Sequence, residues 1–333
     1  MKNQPYGYWS VATALFAAIV SLFVLPAWPS AQTYPSKPIS LLVSFSPGGT
    51  VDSTIRLLAK KAEKFLGQPF AVGNNGGGGG TVALGIVAKA KPDGYQLVSC
   101  TSVGMVGIPQ FRPVSYKLSD FTPIMHYGAP QSALAVRGDS PWKSMEEFLD
   151  YAKKNPGKVT YSTNGIGTTQ DMAMKYVAQK EGIKWTVVPF PGVAEAFTAL
   201  LGRHVTAFSG SSDWAPFIKE GRVRILATHG ETRMKAFPSV PTFREIGYDY
   251  VNPTRFMVAA PKGTPQSIVE RLDEAFAQAV HDPEFVALME RQEIEVLYRH
   301  PQEMVQWLED QRDLIGKMIR DFNIPTEFKE PKK

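Results

Sequence analysis

With 333 residues, 44% of them hydrophobic and 20% charged, the chain has room for two domains of ordinary size, and its composition excludes both a disordered polymer and a membrane bundle. The formal net charge of +5 is scattered among acids without a Lys/Arg stripe, which argues against a nucleic-acid partner. Cys100 is the only cysteine and the five histidines lack ligand spacing, so no internal disulfide, no metal and no cofactor is expected.

Residues 1–31 read as a secretory signal peptide. Lys2 and the free amine precede an apolar run from Val11 to Leu25, and a breaker region of small residues and prolines follows to Ala31. The apolar run is fifteen residues long, short of the roughly 20 that a membrane span needs.

After it, residues 39–45 form an apolar, β-branched and aromatic run with no polar face, which predicts a buried parallel strand. Pro47-Gly48-Gly49 breaks the strand, and Thr50, Asp52 and Ser53 supply capping oxygens before the helical pattern Ile55, Leu57, Leu58, Ala62. Such a turn is a candidate anion seat, because glycines let a ligand reach the main chain and a helix start offers free N–H groups with partial positive charge. Asp52 reads first as a cap, since a carboxylate repels an incoming anion unless it faces N–H groups or a bridging water.

Residues 68–72 predict a second strand, and Gly76 to Gly80 follow as either a closely bent backbone or a flexible surface loop. They are no dinucleotide fingerprint, because Thr81 stands where the third glycine belongs, and no phosphate loop, because no Gly-Lys-Ser/Thr follows. A helix is predicted over 81–90 and a strand over 97–100, with the Thr101 and Ser102 hydroxyls at the carboxyl end where ligands of open α/β sheets sit. Strands over 121–127 and 133–137 carry the chain into a second domain, which continues with helices over 144–154 and 168–181 and strands over 184–188 and 205–209. Within it Val159 to Thr163 run into Asn164-Gly165-Ile166-Gly167-Thr168-Thr169, a second turn rich in glycine and hydroxyls. Two such turns in separate halves point to a shared cleft. The chain returns through 224–228 to a strand over 255–260, and helices over 266–280, 283–291 and 302–322 read as scaffold packed on the first domain.

Several motifs carry a family resemblance over nearly the whole mature chain: Tyr34-Pro35-Ser36-Lys37-Pro38-Ile39, Phe45-Ser46-Pro47-Gly48-Gly49 with Asp52 and Arg56, Leu66-Gly67-Gln68-Pro69, Pro92-Asp93-Gly94-Tyr95, Asn155-Pro156-Gly157-Lys158, Gly165-Ile166-Gly167-Thr168, Val188-Pro189-Phe190-Pro191-Gly192, Pro238-Ser239-Val240-Pro241-Thr242 and Ala260-Pro261-Lys262-Gly263-Thr264-Pro265. In order and spacing they closely resemble the substrate-binding proteins of tripartite tricarboxylate transporters, the Bug-type family. The resemblance implies an α/β, two-domain periplasmic binding protein of type II-like topology. Each domain would be a mostly parallel sheet flanked by helices, with residues 32–130 and 252–333 in one domain, 131–251 in the other and the ligand cleft between them. It further implies a monomeric, non-enzymatic receptor that delivers a small carboxylate to integral membrane permease subunits.

By position, Ser46, Gly48, Gly49, Thr50 and Asp52 belong to the first ligand turn, and Ser162, Asn164, Gly165, Gly167, Thr168 and Thr169 to the second. This sequence departs from the family pattern at Gly73 to Gly80, where a frequent arginine and proline are missing, and at Ser209, where a common pattern has Asp. For the rest of the ligand the candidates are Phe190, Pro191, Ser209, Ser211, Asp213, Trp214, Arg255 and Phe256, with Ser102 beside them. Arg255 either pairs with a second carboxylate or forms an ion pair within the protein, and Phe190 either packs on an apolar ligand body or in the core. The ligand itself stays open among citrate-like, short dicarboxylate, aromatic carboxylate and amino-acid molecules. A sensory module presenting its ligand to a membrane receptor is the alternative function. A secreted hydrolase is a third reading, against which stands the lack of a Gly-x-Ser-x-Gly elbow.

Overall fold

The computed structural model describes residues 34–327 except 231, 235, 252, 253, 322, 323 and 325, and gives only the backbone of Asp213. The signal-peptide reading of residues 1–31 therefore lies outside the described residues. In chain order the strands are β1 (Ile39–Val43), β2 (Phe70–Asn74), β3 (Gln96–Thr101), β4 (Phe121–Pro130), β5 (Ser132–Arg137), β6 (Thr160–Thr163), β7 (Thr186–Pro189), β8 (Ala207–Ser211), β9 (Val223–Thr228), β10 (Phe256–Pro261) and β11 (Ile294–Arg299). The principal helices are α1 (Thr50–Leu66), α2 (Thr81–Val87), α3 (Met145–Lys154), α4 (Thr169–Glu181), α5 (Val193–Leu201), α6 (Gln266–Ala279), α7 (Pro283–Arg291) and α8 (Pro301–Asp321).

Two sheets result, ordered β11-β4-β10-β3-β1-β2 and β7-β6-β8-β5-β9. In the first, β1 pairs parallel with β2 and β3, while β10 is antiparallel to β3 and β4, and β11 to β4. In the second, β6 pairs parallel with β7 and β8, and β5 is antiparallel to β8 and β9. Most strands in each sheet thus share one direction, and in both the strand arriving from the other sheet, β10 or β5, is inserted against the run. Parallel neighbours require crossover helices that cover the sheet faces, which is why β1 and β3 are buried along most of their length. The same geometry puts the turns after β1 and β6 at the carboxyl ends of their strands, where α1 and α4 begin.

Along α1, Val51, Ile55, Leu58, Ala59 and Ala62 are buried, the three-and-four spacing of a helix lying on a sheet, and Gly67 closes it in the left-handed region at φ 81°. From the C-terminal segment, α6 packs on α1 and α8 on β4. The described residues from Lys37 onward form one compact unit. No helix among the described residues is long and apolar enough to cross a membrane.

Of the strands and principal helices named above, two are absent from the sequence reading. Helix α5, Val193-Ala194-Glu195-Ala196-Phe197-Thr198-Ala199-Leu200-Leu201, buries Val193, Ala196, Phe197 and Leu200 at helical spacing, but a short apolar run of this kind is not told from a buried strand by pattern alone, and strand β11 has a register shift that interrupts alternation. Elsewhere the predicted boundaries move by a few residues, as fraying ends do.

Candidate ligand-binding cleft

Gly48 takes φ +87°, a conformation that costs a side-chain-bearing residue strain, and Gly49 leads into α1 with extended backbone and no side-chain cap. The Gly48 N–H donates to Asp52 Oδ2 at 3.0 Å, while Asp52 Oδ1 accepts from Arg56 Nε at 2.8 Å and Asn74 Nδ2 at 2.7 Å. Asp52 therefore holds the turn from behind. The first bond inside α1 runs from Ser53 N–H to Gly49 O at 2.9 Å, so the N–H groups of Thr50, Val51 and Asp52 have no acceptor within the helix.

A matching frame stands at the start of α4. Gly167, at φ +80°, donates its N–H to Asp171 Oδ2 at 2.8 Å, and Lys175 Nζ lies 2.8 Å from the same oxygen. Asp171 Oδ1 accepts the Tyr161 hydroxyl at 2.7 Å, and Thr168 Oγ1 donates to Gly165 O at 2.9 Å while accepting the Asp171 N–H at 3.4 Å. In both turns a glycine four residues before an aspartate gives it a hydrogen bond, and a cation four residues after pairs with it.

The glycine run brings the two frames together. A Cβ on Gly76 would stand 2.9 Å from Ser46 N and 3.1 Å from Pro191 O, and one on Gly165 would stand 2.9 Å from Gly79 N. Of the two sequence readings, close main-chain approach is the one the geometry takes, and the missing arginine and proline leave room for it. Gly192 opens α5 without a side-chain cap, and a Cβ on Gly49 would lie 3.8 Å from Ala194 N and 4.0 Å from Val193 N, so the starts of α1 and α5 face one another.

Between them is a small cavity of about 10 Å³, room for about one water molecule, lined on one side by Phe45, Val51, Thr101, Val103, Thr254 and Phe256 and on the other by Asn164, Thr168, Gln170, Val193 and Ser211. A larger open groove of about 690 Å³ at the far end of the second sheet is lined by residues including Lys143, Ser144 and Arg224. It meets the start of α3, whose Ser144 cap is already engaged and whose first turn carries Glu146 and Glu147, so an anion finds no welcome there.

Of the sequence candidates, Asn164 and Thr168 line the cavity, as do Ser211 and Phe256. Gly48, Gly49, Thr50, Gly165, Gly167 and Thr169 build its rim and helix starts, and Ser46 is wedged against Gly76 and Gly192. Ser162 Oγ donates to Ala196 O at 2.7 Å and Ser209 Oγ to Gln170 O at 3.0 Å, so both tie the frame together. Ser102 Oγ accepts the Arg255 N–H at 3.0 Å, and Arg255 Nη1 donates to Thr254 O at 2.8 Å. Phe190 packs against the apolar cluster of Phe197, Phe208 and Trp214. Asp213 lies just past Ser211 and Ser212, with its side chain outside the described residues. Sequence reasoning missed Phe45, Val51, Val103, Gln170, Val193 and Thr254 as lining residues; the Pro191-Gly192 break before an apolar run was the available signal for the start of α5.

The cations near the cavity are held by acceptors of the protein, whereas the buried Glu195 Oε2 in the first turn of α5 has no hydrogen-bond partner among the described residues. Arg56 binds Asp52, Val72 O and Asn74 Oδ1, Lys175 binds Asp171, and burial pushes the Arg255 pKa down, with Glu295 opposing and Arg299 adding to the shift. Two buried hydroxyls beside the first turn, Ser44 Oγ and Thr50 Oγ1, have no hydrogen-bond partner among the described residues. Two histidines are buried and neutral. Burial, with Arg255 and Arg299, pushes His126 down to about 3, and burial alone pushes His229 to about 3.

Two α/β lobes with helix starts converging on a cleft define a periplasmic binding protein of the two-domain type. The solved periplasmic binding protein BugD is similar over 88% of this chain and 99% of its own, with TM-score 0.83 and 28% identity. MatC from Rhodopseudomonas palustris, solved with bound malate, is similar over 86% and 100%, with TM-score 0.81 and 26% identity. Residues 54–324 match the family model of the tripartite tricarboxylate transporter family receptor, and a protein encoded in the gbd 5' region of Cupriavidus necator is 36% identical over 300 residues, 88% of this chain and 90% of that one. The chain belongs to the tripartite tricarboxylate transporter receptor family.

Proposed function

We propose that this chain is a periplasmic solute receptor that holds a small carboxylate between the start of α1 and the start of α4 and delivers it to integral membrane permease subunits. Residues 32–130 with 252–333 act as one lobe and 131–251 as the other, and the signal peptide over 1–31 directs export. One observation carries the reading: two long helices begin at one cavity, and their first N–H groups have no acceptor within the helices. Charge-assisted hydrogen bonds contribute about 1.5–3 kcal/mol each, and the two helix ends add roughly 0.5–2 kcal/mol. Three or four bonds, less the cost of ordering, give about −8 kcal/mol, an affinity near micromolar. The carboxylate bound to MatC, a protein of the same fold, supports the ligand class.

A thermal-shift panel of mono-, di- and tricarboxylates on the mature protein tests this. A ligand at a hundred times its dissociation constant adds about 2.7 kcal/mol of stability. The reading fails if no carboxylate shifts the transition, or if the compound that does is chemically turned over.

A further inference from the structure

One carboxylate beside the cleft stands without a partner. Glu195 lies in the first turn of α5, the helix whose start faces that of α1. An acid at this position ordinarily bonds back to the cap N–H or stays hydrated beside the positive helix end. Glu195 Oε2 does neither, because it is buried and has no hydrogen-bond partner among the described residues.

Two bare glycines show where this oxygen lies. A Cβ on Gly192 would stand 2.7 Å from Glu195 Oε2 and 3.2 Å from Ser46 N, so the carboxylate folds back to the seam between α5 and the first turn. A Cβ on Gly76 would stand 3.1 Å from Ser46 Oγ and 3.1 Å from Pro191 O. Three kinds of oxygen acceptor, a carboxylate, a hydroxyl and a carbonyl, thus meet at Ser46. The free amides of α1 begin at the same seam, since a Cβ on Gly49, the residue before them, would lie 3.8 Å from Ala194 N. Donors suited to an anion and an acceptor suited to a cation are therefore neighbours.

We infer that the ligand is an amino acid, carrying an ammonium group beside its carboxylate, and that Glu195 reads the ammonium. The inference rests on the proposed carboxylate reading and narrows it. An ammonium brings three N–H donors and no acceptor, which suits the Glu195 carboxylate, the Ser46 hydroxyl and the Pro191 carbonyl. The amides of α1 take the ligand's own carboxylate, so each end of the zwitterion meets its opposite. A protein carboxylate taken out of water stays costly until a charged donor reaches it, and an acid without an ammonium leaves that cost in place.

The test is titration calorimetry on the full mature chain with two pairs that differ only by an ammonium group, L-glutamate with glutarate and L-alanine with propionate. In each pair that binds, the amino acid is expected to bind about ten- to a hundredfold tighter, the share of one charge-assisted hydrogen bond. Glu195→Gln keeps the size of the side chain and removes its charge, and should bring the two members of a pair to within about threefold of each other. Should that variant fail to fold, Gly192→Ala serves instead: its extended backbone accepts alanine, and the methyl group takes the place of the Glu195 carboxylate and should collapse the same ratio. A preference that survives the substitution in a folded protein overturns the role of Glu195. A desamino acid that binds as tightly as its amino acid, or tighter, overturns the ammonium while leaving the carboxylate reading standing, and so does binding of another acid of the thermal-shift panel when neither pair binds. If no acid binds at all, both readings fall.

Discussion

The starts of α1 and α4 share one hydrogen-bonding frame and differ in how far water reaches it. Behind the first turn, Asp52 pairs with Arg56, whose side chain is 43% exposed; behind the second, Asp171 is fully buried and Lys175 is 22% exposed. Gly49 caps α1 with bare backbone, whereas Thr168 caps α4 with its hydroxyl and spends part of that turn's bonding capacity on the protein. The comparison teaches that one side of the cleft is a mouth of main-chain amides and the other a rigid, prebuilt wall. On the proposed function, closure onto a ligand asks most of the first turn and least of the second.

The largest expected effect tests the wall. Asp171→Ala leaves Tyr161, Lys175 and Gly167 without their shared acceptor and should cost about 3–5 kcal/mol in urea denaturation, as breaking a buried charged pair does. Next comes Gly49→Val at the mouth. Its extended backbone accepts valine, but the side chain fills the space before Val193 and Ala194, so carboxylate affinity should fall about a hundredfold, or about 2.7 kcal/mol, with the fold intact by circular dichroism.

Acid sharpens the contrast, because His229 packs edge-on against Tyr250, whose hydroxyl bonds to Thr169 O at the second turn. Its folded pKa of about 3 lies below the ordinary value of about 6.5, so its stabilising contribution is complete above that value and is lost as pH falls toward 3. Each such histidine contributes a slope of at most ~1.4 kcal/mol per pH unit in this window. His229→Phe should remove its share, seen as a flatter melting temperature between about pH 6 and 4; parallel curves for the two proteins would refute the assignment. The smallest effect is expected from Asp52→Ala, about 1 kcal/mol, since water replaces what its half-exposed arginine partner loses. Equal losses from Asp52→Ala and Asp171→Ala would erase the distinction between mouth and wall.

Much of this was legible from local pattern. A β-branched run before Pro47-Gly48-Gly49, and Gly165 and Gly167 before a capping threonine, identify strand, turn and helix start because these signals act within a few residues. The fate of side chains was not legible in the same way. Arg255 could have met a ligand, and only the pairing of β10 with β3 turns its backbone onto Ser102, 153 residues away. Gly79 meets Gly165, and Gly49 meets the start of α5, through folding that joins distant segments. By itself the sequence determined the α/β alternation and the two anion-suited turns, since backbone conformation and hydrogen-bonding capacity are set by neighbouring residues. The tertiary structure alone decided which amides stay free, which cations are already paired and which apolar walls face them, because those outcomes depend on what packs across the cleft.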